Sequence, residues 1–158
     1  MITVIIPNWN GKIYLKNCLD SLLNQSISDF EVIIIDNNST DGSQEFIRKH
    51  YPQFKLYPLN RNTGFANAVN LGIQKASGEY IALLNNDTVT DKNWLKELRD
   101  VLDSKPYIHS VCSQVLFMEV PERINSIGTG VSSAMIPFDL FITKKKDTPY
   151  PGPILGPT

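Results

Sequence analysis

The chain has little of what most often marks a function. Its 158 residues include two cysteines, Cys18 and Cys112, far apart and in no Cys-x-x-Cys pair. That excludes a disulfide framework and a thiolate zinc site, and makes a reducing compartment the default. Of the two histidines, His50 and His109, neither has metal-ligand spacing. No Gly-x-Ser-x-Gly occurs, which disfavours nucleophile-elbow hydrolase chemistry. No Gly-x-Gly-x-x-Gly follows the first apolar run, which disfavours a dinucleotide oxidoreductase. The formal net charge is −1, so bulk electrostatics give no pull toward nucleic acid. No apolar run approaches the ~18–20 residues that a membrane span needs. The N-terminus carries no basic region and no cleavage pattern, so no signal peptide is read. No internal repeat is visible.

What is present is an ordinary globular composition, 42% hydrophobic and 20% charged. Ile2 to Ile6 is a β-branched run closed by Pro7, which reads as a strand buried on both faces. Leu15, Leu19, Leu22 and Leu23 recur at helical spacing, which predicts an amphipathic helix over roughly 12–24. Glu31 to Asp36 is a second strand that ends on an acid. Thr40-Asp41-Gly42-Ser43 suits a helix start, with Phe46 and Ile47 on the apolar face. A weaker strand runs from Phe54 to Leu59, and a turn-rich loop from Asn60 to Gly64. Phe65 to Ala76 reads as a third helix, with Phe65, Val69 and Ile73 four apart. Glu79 to Leu84 reads as a buried fourth strand, Asp91 to Ser104 as a helix, and Ile108 to Phe117 as a fifth strand.

Strands alternating with helices of this length are the pattern of a mostly parallel α/β sheet with helices on both faces, a three-layer Rossmann-like arrangement. Periodicity fades after Val120. Lys144-Lys145-Lys146 reads as a solvated run, and Tyr150 to Pro157 as loop. The expected division is therefore an α/β domain over 1–120 and a different region over 121–158, with the chain stopping partway through a fold.

Three predicted strand ends carry polar clusters: Pro7-Asn8-Trp9-Asn10-Gly11, Asp36-Asn37-Asn38-Ser39-Thr40-Asp41 and Asn85-Asn86-Asp87. In a parallel sheet all three lie at one edge, where open α/β sheets bind ligands. Asp87 is a lone carboxylate beside amides, a set that suits Mg²⁺ held jointly with a substrate diphosphate. Asn86 is placed to hydrogen-bond a sugar, and Asn8, Trp9 and Asn10 to line a nucleotide. Asp36 is placed to accept the N3–H of uracil or thymine. Each cluster alone suits a turn equally well. Gly11 reads as a left-handed turn residue. Arg61 and Gly64, before the third helix, suit either an anion or a plain surface loop. Asn67 and Asn70 share a helix face and read as loop anchors.

The segments VIIPNWNG, YLKNCLDSLLNQS, FEVIIIDNNSTDGS and NRNTGFANAVNLGIQKASGEYIALLNND resemble the family 2 glycosyltransferases of GT-A fold. The resemblance runs from about Ile2 to Asp91 and weakly on to about Gly130. PNWNG and LLNNDT are most similar to the rhamnosyltransferase-type branch that builds bacterial surface polysaccharides. The resemblance implies a nucleotide-sugar donor (UDP- or dTDP-linked), a saccharide or lipid-linked acceptor, Mg²⁺ or Mn²⁺, and inversion at the anomeric carbon. It implies a cytoplasmic protein, peripheral to the membrane at most. It places Asp36 as the base-binding acid, Pro7, Asn8, Asn10 and Asn38 in nucleotide-contacting loops, and Asn85-Asn86-Asp87 on the DxD motif. Asp87 there takes the metal and Asn86 the ribose or sugar.

Two departures from that pattern bear on function. The first acids of DxD are amides here, which implies weak metal binding until a diphosphate adds its oxygens. The family's catalytic base lies far downstream, past residue 158; Asp139 and Asp147 sit in no recognisable motif and neither is assigned. A donor-binding domain without transfer is thus the alternative, with a nucleotidyltransferase behind it, since the Gly-rich, Arg-bearing loop of that class is missing after the first strand. If a further region covers the sheet in the whole protein, the chain alone exposes apolar surface and is expected to self-associate as a homodimer.

Overall fold

The computed structural model describes residues 1–131 and 137–149. The loop expected over Tyr150 to Pro157 lies outside them. The chain divides into two compact units, Met1–Asp103 and Ser104–Thr158.

The first unit is built on a four-stranded sheet, β1 (Ile2–Asn8), β2 (Phe30–Asp36), β3 (Lys55–Pro58) and β4 (Tyr80–Leu83). Its order is β3-β2-β1-β4, with every pairing parallel. Helices α1 (Lys12–Leu23), α2 (Ser43–His50), α3 (Phe65–Lys75) and α4 (Trp94–Ser104) connect and follow the strands. β1 and β2 are β-branched runs at the centre, so both their faces are buried. On one face Val4, Ile6, Val32, Ile34, Ala82 and Leu84 meet Leu15, Leu19 and Leu22 of α1, Ile47 of α2 and Leu95 of α4. On the other, Ile33 and Ile35 meet Ala68 of α3. The expected three-layer α/β arrangement is thus present.

Three local points differ from the sequence pattern. Of the apolar residues four apart on α3, Val69 is buried, whereas Phe65 and Ile73 are 60% and 45% exposed. The buried residues are Ala68, Val69 and Gly72. Small residues one turn apart let the helix lie close on the sheet, and a Cβ at Gly72 would run into Cγ2 of Ile5.

β4 is covered on one face only. Ala82 and Leu84 are buried, whereas Ile81 and Leu83 are 40% and 52% exposed. β4 is an edge strand, and α3 sits over β1 and β2 rather than over it.

The strand expected over 108–117 shrinks to β5 (Val115–Leu116), which pairs antiparallel with β6 (Ile124–Ser126) in the second unit. Strand propensity reflects packing against neighbours, and the residues from His109 to Gln114 are exposed or only half-buried. The second unit also holds the antiparallel pair β7 (Thr129–Val131) and β8 (Pro137–Asp139). Lys144, Lys145 and Lys146 are exposed there, as expected. Among the described residues no helix is long and apolar enough to cross a membrane.

Candidate functional site

The register of the sheet brings the polar strand ends together. Asn8 and Asp36 are direct partners at the last rung of β1 and β2. On the other side of β1, Leu84 N donates to Ile5 O at 3.0 Å, so the Asn85–Thr88 turn leaves β4 beside the end of β1.

A relay of side chains then crosses all three ends. Asn86 Nδ2 donates to Asn8 Oδ1 at 2.7 Å. Asn8 Nδ2 donates to Asp36 Oδ2 at 2.8 Å and to Ser39 Oγ at 3.2 Å. The carboxylate fixes the polarity of the chain: Asn8 must turn its NH₂ to Asp36, so it offers its oxygen to Asn86. Asn86 must answer with its own NH₂, which leaves Asn86 Oδ1 as the end available to a ligand.

Asp36 is fully buried, and donors meet both of its carboxylate oxygens, as burial of such a group requires. Its Oδ1 accepts the Ser39 N–H at 2.9 Å and Gln44 Nε2 at 2.8 Å. Because no part of Asp36 is exposed, a base N–H reaches it only where a covering donor moves aside. Gln44, half-buried at the start of α2, is the one on a flexible stem.

The loops after β1 and β2 are zipped together. Asn10 N donates to Ser39 Oγ at 2.9 Å, Thr40 N to Asn10 Oδ1 at 2.8 Å, and Lys12 N to Asp41 Oδ2 at 2.9 Å. Burial opposes the Asp41 charge, but the Ser43 hydroxyl and the Lys12 and Ser43 N–H groups outweigh it and hold the carboxyl below its usual range. The left-handed corners of these loops fall at Asn10, Asn38 and Gly42, with φ of 50°, 64° and 82°. Gly11 has φ −104°, so it is not the left-handed residue expected from the sequence. Trp9 stands beside these corners, 58% exposed, at the rim rather than in the core.

Asp87 is exposed on the turn after β4. Beneath it Cys18 Sγ approaches Asn85 O at 3.7 Å. Burial, with Asp87 adding to it, pushes the Cys18 thiol up to about 12, so it stays protonated. Among the described residues no three His, Cys, Asp or Glu side chains gather as a metal-ligand set. One open carboxylate with flanking amides fits a divalent ion only if a ligand brings further oxygens.

Several residues that hold the site are not evident in the sequence. Asn37 Oδ1 accepts the Thr63 N–H at 3.1 Å, and Asn37 Nδ2 donates to Gly64 O at 3.1 Å, fixing the entry to α3. Gln25, at the far end of α1, anchors the segment after Asp87. Its Nε2 donates to Asp91 O at 2.7 Å and Thr90 Oγ1 at 3.1 Å, and its Oε1 accepts Leu95 N at 3.0 Å. Their signal is an amide in a polar loop, which has no periodicity to mark it. Arg61 is exposed, and Asn67 donates to Thr63 O at 2.7 Å, the loop-anchoring role expected of it. Asp139 and Asp147 belong to the second unit.

A parallel α/β sheet with polar loops gathered at the carboxyl ends of its strands has the layout in which open α/β sheets bind ligands. The profile of Glycosyl transferase family 2 matches residues 3–151. The chain belongs to glycosyltransferase family 2. It is 33% identical over 136 residues to an uncharacterized glycosyltransferase of Rickettsia bellii, covering 85% of this chain and 20% of that protein. It is 31% identical over 100 residues to the putative teichuronic acid biosynthesis glycosyltransferase TuaG of Bacillus subtilis, covering 61% of this chain and 40% of TuaG. The chain thus spans between a fifth and two fifths of these relatives. Among solved structures, residues 1–349 of S. aureus TarS in complex with UDP-GlcNAc share the fold, with a TM-score of 0.61 and 22% identity over 75% of this chain and 41% of that one. The mannosyltransferase PcManGT of Pyrobaculum calidifontis, in complex with GDP-Man and Mn²⁺, does so with a TM-score of 0.64 and 24% identity over 72% of this chain and 35% of that one. The expected GT-A fold is the fold these proteins share.

Proposed function

We propose that this chain is the donor-binding part of an inverting glycosyltransferase that takes a UDP- or dTDP-sugar, with dTDP-rhamnose the first candidate, and serves cell-surface polysaccharide synthesis on the cytoplasmic side of the membrane. The observation that carries the reading is the relay Asn86–Asn8–Asp36, which joins three strand-end loops into one polar platform. Teichuronic acid synthesis in the name of TuaG supports the polysaccharide assignment, and the nucleotide sugars bound to TarS and PcManGT support the donor class.

In this reading the base N3–H takes the place of Gln44 Nε2 on Asp36 Oδ1. Pro7, Asn8, Asn10 and Asn38 shape the loops around the nucleoside, and Trp9 lies along its rim. Asn86 Oδ1 accepts a ribose or sugar hydroxyl, the partner an outward-facing acceptor selects. Asp87 holds Mg²⁺ or Mn²⁺ together with the donor diphosphate; the ion, when bound, supplies Lewis-acid neutralisation of the leaving group. The acceptor hydroxyl displaces the nucleoside diphosphate in line. Its general base, worth typically 10²–10⁴-fold, belongs to a region beyond this chain. The chain alone therefore binds donor and transfers little.

Titration calorimetry with UDP, dTDP and GDP, each with and without Mn²⁺, tests this. UDP or dTDP is expected to bind in a Mn²⁺-dependent manner that Asp87→Ala removes. Unchanged, metal-independent affinity in Asp87→Ala contradicts the site.

A further inference from the structure

We infer that Gly11 is a positioning residue for Asn86: the missing side chain at position 11 is what lets the Asn86 amide dock on Asn8 and so sets the end of Asn86 that faces a ligand. The consequence for donor binding rests on the function proposed above; the steric relation does not.

A glycine is required either by backbone conformation or by space. At Gly11 φ is −104° and ψ 17°, a negative-φ bridge conformation of the kind found at the third residue of type I turns, which does not call for glycine. The left-handed corners beside it are made by Asn10 and Asn38 instead. Space is different. A Cβ on residue 11 would fall on Nδ2 of Asn86, 2.7 Å from Asn8 Oδ1 and 3.0 Å from Asn86 Cγ. Asn8 is 1% exposed and tied to both Asp36 and Ser39, so it has nowhere to move. Asn86 is half-buried, with the Asn8 contact as its side-chain anchor. The side chain that yields is therefore Asn86, and when it yields the relay is cut at its outer link. Residue 86 directly precedes Asp87, so the displacement occurs where sugar and metal are expected to sit.

Gly11 also begins α1 without a side-chain cap, so alanine there removes no capping bond. Alanine is a poorer N-cap than glycine, so some loss of stability at the helix start is expected as well, and it is independent of residue 86.

The test is a double-mutant cycle of Gly11→Ala and Asn86→Ala, read two ways. The first readout is the Asn86 side-chain amide resonance pair in the ligand-free protein, together with the melting temperature. Gly11→Ala is expected to shift that pair toward free amides. The loss in melting temperature caused by Gly11→Ala should be smaller in the Asn86→Ala background, where the colliding group is gone, than in the wild type. The second readout is UDP affinity with Mn²⁺. Gly11→Ala should weaken it about tenfold, the loss of one well-placed hydrogen bond, and should add less than about twofold when Asn86 is already alanine. An unmoved Asn86 amide pair in Gly11→Ala, or an equal loss of affinity in both backgrounds, overturns the proposal. If the wild type binds no nucleotide, the donor reading fails while the resonances still decide the role of Gly11.

Discussion

Asn86 and Asn8 meet across 78 residues of chain, amide to amide, at 2.7 Å. The contact links the turn after β4 to the end of β1 at the carboxyl ends of the strands, and Asn8 continues it to Asp36. Because the chain ends on a buried carboxylate, each amide has one permitted orientation. The site is thus held by direction as well as by distance.

Asn8→Asp tests that direction. The variant places a second carboxylate where the NH₂ of Asn8 faced Asp36, removing a donor and setting two like charges side by side in a buried position. Stability at pH 7 is expected to fall by on the order of 3 kcal/mol. The shared site raises the pKa of one carboxyl above its unfolded value. The deficit is therefore largest well above that pKa and narrows as the pH falls and a proton enters the pair. Urea denaturation of wild type and variant at pH 7 and pH 5 checks this; a gap that widens at pH 5 contradicts it.

Gln25→Ala tests how the turn bearing Asp87 is anchored. The side chain bonds Thr90, Asp91 and Leu95 at once, and its loss leaves the first turn of α4 without its side-chain acceptor. The cost should be about 1–3 kcal/mol, the range for deserted half-buried polar groups. Hydrogen exchange should quicken at Leu95 and leave the β1–β2 rungs alone.

Glu31 sits at the opposite edge of the sheet. It accepts the Thr3 hydroxyl at 2.7 Å, the Ser77 N–H at 2.7 Å and Lys55 Nζ at 2.6 Å. Burial opposes its charge, but the Lys55 ammonium and these donors outweigh that and bring the carboxyl to about 2 from an ordinary 4.5. Folding therefore favours the ionised form. The contribution is complete above the ordinary value, declines as pH falls below it, and is gone once pH drops through about 2. Glu31→Gln should be less stable than wild type at pH 6, with the gap narrowing toward pH 3; a constant gap in denaturation across that range contradicts the assignment.

The central strands were legible because Ile2–Ile6 and Val32–Ile35 are short β-branched runs, apolar but for Thr3, a length and composition that suit a strand buried on both faces. The polar triplets after them pointed to one edge because parallel strands end together. What was not legible depended on neighbours distant in sequence. The buried stripe of α3 followed Ala68 and Gly72 rather than its largest side chains, since close approach to Ile5 rewards small residues. β4 reads as apolar throughout, yet Ile81 and Leu83 are open because, among the described residues, α3 packs over β1 and β2 instead. Gly11 reads as a turn residue until Asn86, 75 positions later, is found in the space its side chain would fill.

Paramagnetic broadening by Mn²⁺ in an amide-resolved spectrum tests the central claim most directly, because the ion reports its own position. With UDP present, the account predicts broadening centred on Asn85 to Thr88 and reaching the loops at Asn8 to Gly11 and Asp36 to Ser39, and little broadening there when UDP is left out. Broadening centred elsewhere, or the same with and without the nucleotide, would contradict a shared metal and diphosphate site at these strand ends.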